Sequence, residues 1–191
     1  MADWVVARKG AAANVVFYSV PELTFPTPMA DAFKTELAKI CSSCKFRTSD
    51  IGLLTFGTKA PSTVVTDLQS HPGTTVTVFA SAEIAAGLPA ALDAAGITGL
   101  TSIGFAPTPS TLGDIKAGTL TAGLGIDLQV AIWTSVDVAA RLILGGKPTG
   151  GELAGDTPMQ ILEQKDFTFD TTHGYAGYPD VGRTYTKLWT G

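Results

Sequence analysis

Strand-like runs alternate with helical segments along residues 14–144, and this alternation constrains the fold more than any other feature. The runs are 14–20 (Asn-Val-Val-Phe-Tyr-Ser-Val), 45–51, 74–79, 100–105 and 119–124. A short helix is expected over 2–9. Thr27 followed by Pro28 predicts an N-cap and a first-turn proline for a helix to about Ile40. Pro61 opens a helix carrying Val64, Val65 and Leu68. Ser81, with Glu83 after it, starts a helix to about Ala95 that bends at Pro89. Ser110 or Thr111 caps a short helix ending at Gly118, and a long helix runs from about Leu128 to Leu144.

Such alternation predicts an α/β domain of three layers, with helices on both faces of a mainly parallel sheet. Ligands bind sheets of this kind beyond the carboxyl ends of the strands. That rule nominates Val20–Phe25, Leu53–Phe56, Ala80–Ala82, Phe105–Thr108 and Gly123–Asp127. After residue 144 the pattern changes. Gly145–Gly155 is a Gly-rich connection, and Met159–Leu162 reads as one short strand. The tail to Gly191 holds Tyr175, Tyr178, Tyr185 and Trp189 among polar residues and reads as a strap packed by aromatics.

Composition narrows the function classes. Apolar residues make up 45% and charged residues 16% of the 191, a folding rather than disordered balance. The net charge is −4 and no stripe of Lys and Arg exists, which argues against nucleic acid as a partner. No run of 18 apolar residues is present to span a bilayer. Residues 1–7 show neither a basic n-region nor a cleavage site, so a secretory leader is expected to have been removed, or the chain to be a fragment or an internal start.

Chemistry-bearing motifs are few. Cys41-Ser-Ser-Cys44 follows the helical pattern Met29, Phe33, Leu37, Ile40, at a helix C-terminus rather than the N-terminus that would activate a thiolate. A local disulfide is the favoured reading, with free thiols or a redox or metal role as the alternatives. Gly123-Leu-Gly125 lacks the third glycine of a dinucleotide fingerprint, and Gly145-Gly146-Lys147-Pro148-Thr149 follows a helix, not the strand a phosphate loop requires. His71 and His173 read as surface or capping residues, and Asp137 and Arg141 as an ion pair along one helix. No base is positioned beside a nucleophile, so catalysis, metal and cofactor are not expected.

The helix from Leu128 is unusual. Leu128, Ala131, Ile132, Ser135, Ala139 and Leu142 form one apolar stripe, while Val130 and Trp133 lie off it. A helix apolar on more than one face requires partners on both sides. A single lobe would leave Trp133 partly exposed, and pairing with a second copy through this helix is one outcome.

The order of steps resembles the second half of a type I periplasmic solute-binding protein of the sugar ABC-transporter class. The likeness runs through Met1–Gly10, Ala32-Phe33 with Leu37, Leu68-Gln-Ser-His-Pro72 followed by Val76–Ala80, and Glu83–Leu92. It continues through Ile103-Gly-Phe105, Asp114-Ile-Lys-Ala-Gly118 with Leu120–Ala122, and Asp137 and Arg141 with Gly145–Lys147, to Tyr178-Pro179-Asp180 and Leu188-Trp189. The resemblance implies a Rossmann-like, flavodoxin-like αβα lobe over 1–126, a helix over 127–146 that belongs to the other lobe, and a return crossover, short strand and strap over 147–191. An N-terminal lobe would be missing.

The resemblance also implies a non-enzymatic, periplasmic or extracellular binding component that serves an ABC permease. The alternatives are a LacI-like effector domain and a truncated remnant without ligand. Where sugar binders of the family carry Asn, Asp, Gln and Arg, this sequence has Ser81, Ala106, Gly125 and Thr27, with an aromatic position near Phe56. Such a cleft, lined by Phe25, Leu53, Leu54, Phe56 and Phe105, suits an apolar or small aromatic ligand at least as well as a sugar.

Overall fold

The computed structural model describes residues 1–190. Five parallel strands and one antiparallel strand form a single sheet in the order β2-β1-β3-β4-β5-β6. The strands are β1 (Asn14–Ser19), β2 (Lys45–Asp50), β3 (Val76–Phe79), β4 (Thr101–Phe105), β5 (Ala122–Ile126) and β6 (Met159–Glu163). β6 runs antiparallel to β5, with Leu124 opposite Ile161. The expected three-layer α/β architecture is the one observed.

Strand β1 shows why. Its period of two sends successive side chains to opposite faces. Val15 and Phe17 enter one core with Ala30, Phe33 and Leu37, while Val16 and Tyr18 enter the other with Val64, Leu68 and Leu88. The first layer holds α1 (Ala2–Lys9) and α2 (Pro26–Ile40); the second holds α3 (Ala60–Ser70), α4 (Leu88–Ala94) and α5 (Pro109–Ala117). A strand buried on both faces must be apolar throughout, as Val-Val-Phe-Tyr is.

Several local boundaries differ from expectation. Helix α2 begins at Pro26, so Thr27 lies in its first turn and Phe25 is the N-cap, without a side-chain cap bond. The single bent helix expected from Ser81 is two elements. A 3-10 turn covers Ala82–Ala85, Gly87 takes φ 79°, and α4 then starts with Pro89 in its first turn. A left-handed glycine breaks the helix, and Pro89 is tolerated because its missing N–H would be free there anyway. The cap of α5 is Thr108, ahead of Pro109, and Thr111 is its reciprocal partner in a capping box. β5 starts three residues later and ends two residues later than the expected run.

The last third forms a satellite beside β5 and β6. It contains α6 (Leu128–Ile143), α7 (Gly150–Ala154) and α8 (Val181–Thr190). The Gly-rich connection therefore carries a short helix, capped reciprocally by Thr149 and Glu152. The tail is not only a strap, because ten of its residues form α8. Tyr185 and Trp189 on α8 pack against Trp133 at centroid distances of 6.0 and 5.3 Å. Trp133 is half-buried, and its cover comes from the tail rather than from residues 1–125.

Candidate functional site

The sheet reverses its winding between β1 and β3: from β1 the chain moves outward to β2, then returns to place β3 on β1's other side. Crevices at such a switch point, outside the carboxyl ends of the strands, are where this class of sheet holds ligands. The loops that meet there follow β1, β2, β3 and β4.

Each loop is held by local chemistry. After β1, Leu23 N–H donates to the Val20 carbonyl at 3.1 Å. The Glu22 carboxylate accepts the Leu53 N–H at 3.2 Å, tying this loop to the one after β2. After β3, Ala82 lies directly on β4, which requires a glycine at 104. A Cβ there would stand 2.7 Å from that of Ala82. After β4, Ala106 adopts φ 53°, the one non-glycine residue with positive φ among those described, and its N–H reaches the Leu124 carbonyl at 2.9 Å. A left-handed alanine is strained by roughly 1–2 kcal/mol, a strain that clusters at functional loops.

The nominated residues divide into two groups. Phe25 and Phe105 come together with ring centroids 5.9 Å apart, although one follows β1 and the other β4. Leu53 and Leu54 are exposed at 38% and 95%, and Phe56 is half-buried against the α3-side core. Ser81 and Ala106 are half-buried on the same edge, and Thr27 is exposed on the first turn of α2. The edge is thus an open shelf with an aromatic side and an aliphatic side. Gly125 does not join it. It is buried in β5 beneath Tyr175, whose ring carbon would lie 2.7 Å from an added Cβ. Asp127 is likewise occupied, accepting Val130 N–H as the cap of α6 and Tyr178 N–H at 2.9 Å.

Sequence reasoning overlooked the carboxylates of this edge, Glu22, Asp50 and Glu83, because it searched for paired acids rather than for charge without a counter-charge. It also overlooked Tyr175, whose contact with Gly125 joins residues 50 positions apart. A concavity lies elsewhere, a groove of about 730 Å³ between α4 and α5 lined by Asp93, Ser102, Asp114, Thr119 and Thr121. Burial pushes the Asp114 carboxyl upward there, against the Thr119 hydroxyl.

Cys41 and Cys44 form a disulfide joining the end of α2 to the turn before β2. The ion pair expected between Asp137 and Arg141 is present at 2.8 Å, and Arg141 also contacts Glu152 at 3.1 Å. Among the described residues no cluster of three His, Cys, Asp or Glu could hold a metal, and no helix is long and apolar enough to cross a membrane.

Solved structures share this fold. The chain matches a Caulobacter myo-inositol binding protein at 24% identity and a TM-score of 0.74, over 96% of this chain and 60% of that one. An ABC transporter solute binding protein from Agrobacterium vitis, solved with D-fucose, matches at 17% identity and 0.70, over 91% and 60%. A periplasmic ribose ABC transporter protein from Conexibacter woesei matches at 16% and 0.63, over 99% and 59%. The fold is therefore that of the periplasmic sugar-binding proteins of ABC transporters, and the chain spans about 60% of the length of these structures. No sequence-family model and no curated protein matches the chain.

Proposed function

We propose that the chain is a ligand-binding lobe of an extracytoplasmic solute-binding protein, without enzymatic activity, that delivers a small molecule to an ABC permease. The observation that carries this reading is the Phe25–Phe105 pair, together with Leu53, Leu54 and Phe56 on the loop after β2, at the strand-end edge of the β1/β3 switch point. Partly exposed rings and exposed aliphatic chains on strand-end loops are poor choices for stability and good ones for gripping a solute. The Cys41–Cys44 disulfide fits an oxidising compartment and speaks against a cytoplasmic regulator.

In this reading residues 1–126 form the C-terminal-type lobe and 147–191 form the return crossover, strand and tail. The segment 127–146, which carries helix α6, docks the open stripe of that helix on a complementary lobe. Without that lobe, the same stripe pairs with a second copy. Half a cleft binds weakly, so the test is an NMR titration of the labelled chain with a panel of small solutes. Amide shifts confined to 20–27, 53–56, 81–83 and 105–106 are expected. Shifts confined to the groove between α4 and α5 would move the site and sink the proposal.

A further inference from the structure

The shelf carries charge as well as rings. Residues 20–27, 50–59, 80–86 and 105–109 contain three carboxylates, Glu22, Asp50 and Glu83, and a single cation, Lys59. None of these three carboxylates is ion-paired among the described residues. Arg47, on the neighbouring strand β2, is committed to Asp67 through two hydrogen bonds of 2.9 and 2.7 Å. Glu22 is held with one oxygen on the Leu53 N–H, and its other oxygen has no partner among the described residues.

Three ligand classes compete for such a shelf. An anion would meet three carboxylates against one lysine. A sugar hydroxyl both donates and accepts, and each one buried without a partner costs roughly 1–3 kcal/mol. These loops contain no Asn, Gln, Arg, His, Tyr or Trp, so apart from Lys59 their only side-chain donors are Ser and Thr hydroxyls, and those of Thr55 and Thr58 are already given to backbone carbonyls. An organic cation fits both halves of the shelf. Its ammonium only donates and is attracted to a carboxylate and to an aromatic face, while its body covers Phe25, Phe105, Leu53 and Leu54.

We propose that this edge selects small organic cations, a protonated amine or quaternary ammonium on an aromatic or alkyl body. The proposal rests on the solute-binding reading above. It is tested by NMR titration of the 191-residue chain with 2-phenylethylamine, 2-phenylethanol, phenylacetate and myo-inositol. The amine is expected to shift residues 22–25, 53–56, 81–83 and 105–106. It should bind at least about tenfold more tightly than the alcohol, a margin of about 1.4 kcal/mol, with phenylacetate weakest of the aromatic probes. Glu22→Gln and Glu83→Gln should each narrow the ratio of amine to alcohol affinity, a change in selectivity that misfolding would not produce. Equal binding of amine and alcohol, or tightest binding of myo-inositol at the same residues, overturns the cation preference while the binding lobe stands. Shifts at other residues only, or none with any probe, overturn both.

Discussion

The Trp189 indole nitrogen donates to the Asp137 carboxylate at 2.6 Å, across a separation of 52 residues. With the Trp133–Tyr185 stack, this bond closes α8 over one face of α6 and turns the opposite face outward. Leu128, Ile132, Val136 and Leu142 are left 46–62% exposed, and Ile143 is 85% exposed. Leu128, Ile132, Ser135, Ala139 and Leu142 recur at alternating spacings of four and three, the seam of a helix partner, with large residues at the ends and small ones toward the middle. A twofold contact requires only that such a stripe be complementary to its own copy, large side chains of one helix meeting small ones of the other. The isolated chain is expected to dimerise at about 100 µM, each buried Leu or Ile contributing roughly 1.5–3 kcal/mol. Size exclusion with light scattering reads this directly. Ile132→Glu should return a monomer, and a wild-type monomer at that concentration would refute the pairing.

The disulfide closes a loop of only four residues, Cys41 to Cys44. Loop-closure entropy for so short a ring gives a contribution of about 2 kcal/mol. Cys41→Ser with Cys44→Ser should lower stability by that order in urea unfolding and leave the sheet intact by circular dichroism. Intact mass should show the pair unreactive to alkylation until reduced. Two thiols that alkylate without reduction would remove the main support for an oxidising compartment.

Asp67 fastens α3 to the sheet. It accepts two bonds from Arg47 and one from the hydroxyl of Tyr18, whose side chain is fully buried. Burial works against the Asp67 carboxylate, but Arg47 and Tyr18 outweigh it and hold its pKa below the usual range. Burial, reinforced by Asp67, drives the Tyr18 hydroxyl upward. Asp67→Ala strands both donors and should destabilise by about 2–3 kcal/mol. Tyr18→Phe removes the hydroxyl together with its need for a partner, and should cost about 1 kcal/mol or less. Similar losses in the two variants would show that the Tyr18–Asp67 bond, rather than the stranded donors, carries the effect.

Glu163 ties the antiparallel strand to α1. Trp4 Nε1 donates to it at 2.7 Å and Arg8 at 2.9 Å, with the guanidinium 5.2 Å from the Trp4 ring. Hydrogen bonding from Trp4, then Arg8 and Lys165, overcomes burial and holds the Glu163 pKa at about 2, below its ordinary 4.5. The folded state thus binds this proton more weakly than the unfolded state does. The stabilisation is complete above about pH 4.5 and is lost as pH falls toward about 2. Glu163→Gln should lower stability at neutral pH by about 1–2 kcal/mol. It should also flatten the acid limb of a stability–pH curve in that window, and an unchanged acid limb would assign the acid sensitivity to other carboxylates.

Much of the fold was legible in the sequence because buried parallel strands must be continuously apolar. Runs such as Val15–Tyr18 and Val76–Phe79 announce themselves, and Pro and Gly mark the helix starts and stops between them. From these elements alone follow an α/β sheet covered on both faces, the strand-end loops as the place to look for a ligand, and an apolar stripe on α6 with no partner in the first five strand–helix steps. Boundaries were less legible where two caps compete, as at Thr108 against Ser110, since the choice depends on which residue's hydroxyl the folded turn brings to the free N–H.

Tertiary structure alone decided relationships between distant residues. It brought Phe25 to Phe105, 80 positions apart, and buried Gly125 beneath Tyr175. It made a helix of a tail whose aromatic residues looked like a strap, because Tyr185 and Trp189 gain enough by covering Trp133 to order the turns between them. Local pattern determines which elements form, since it sets backbone preference and the face each element must bury. Which loops share the shelf depends on strand order, and strand order is settled by long-range packing.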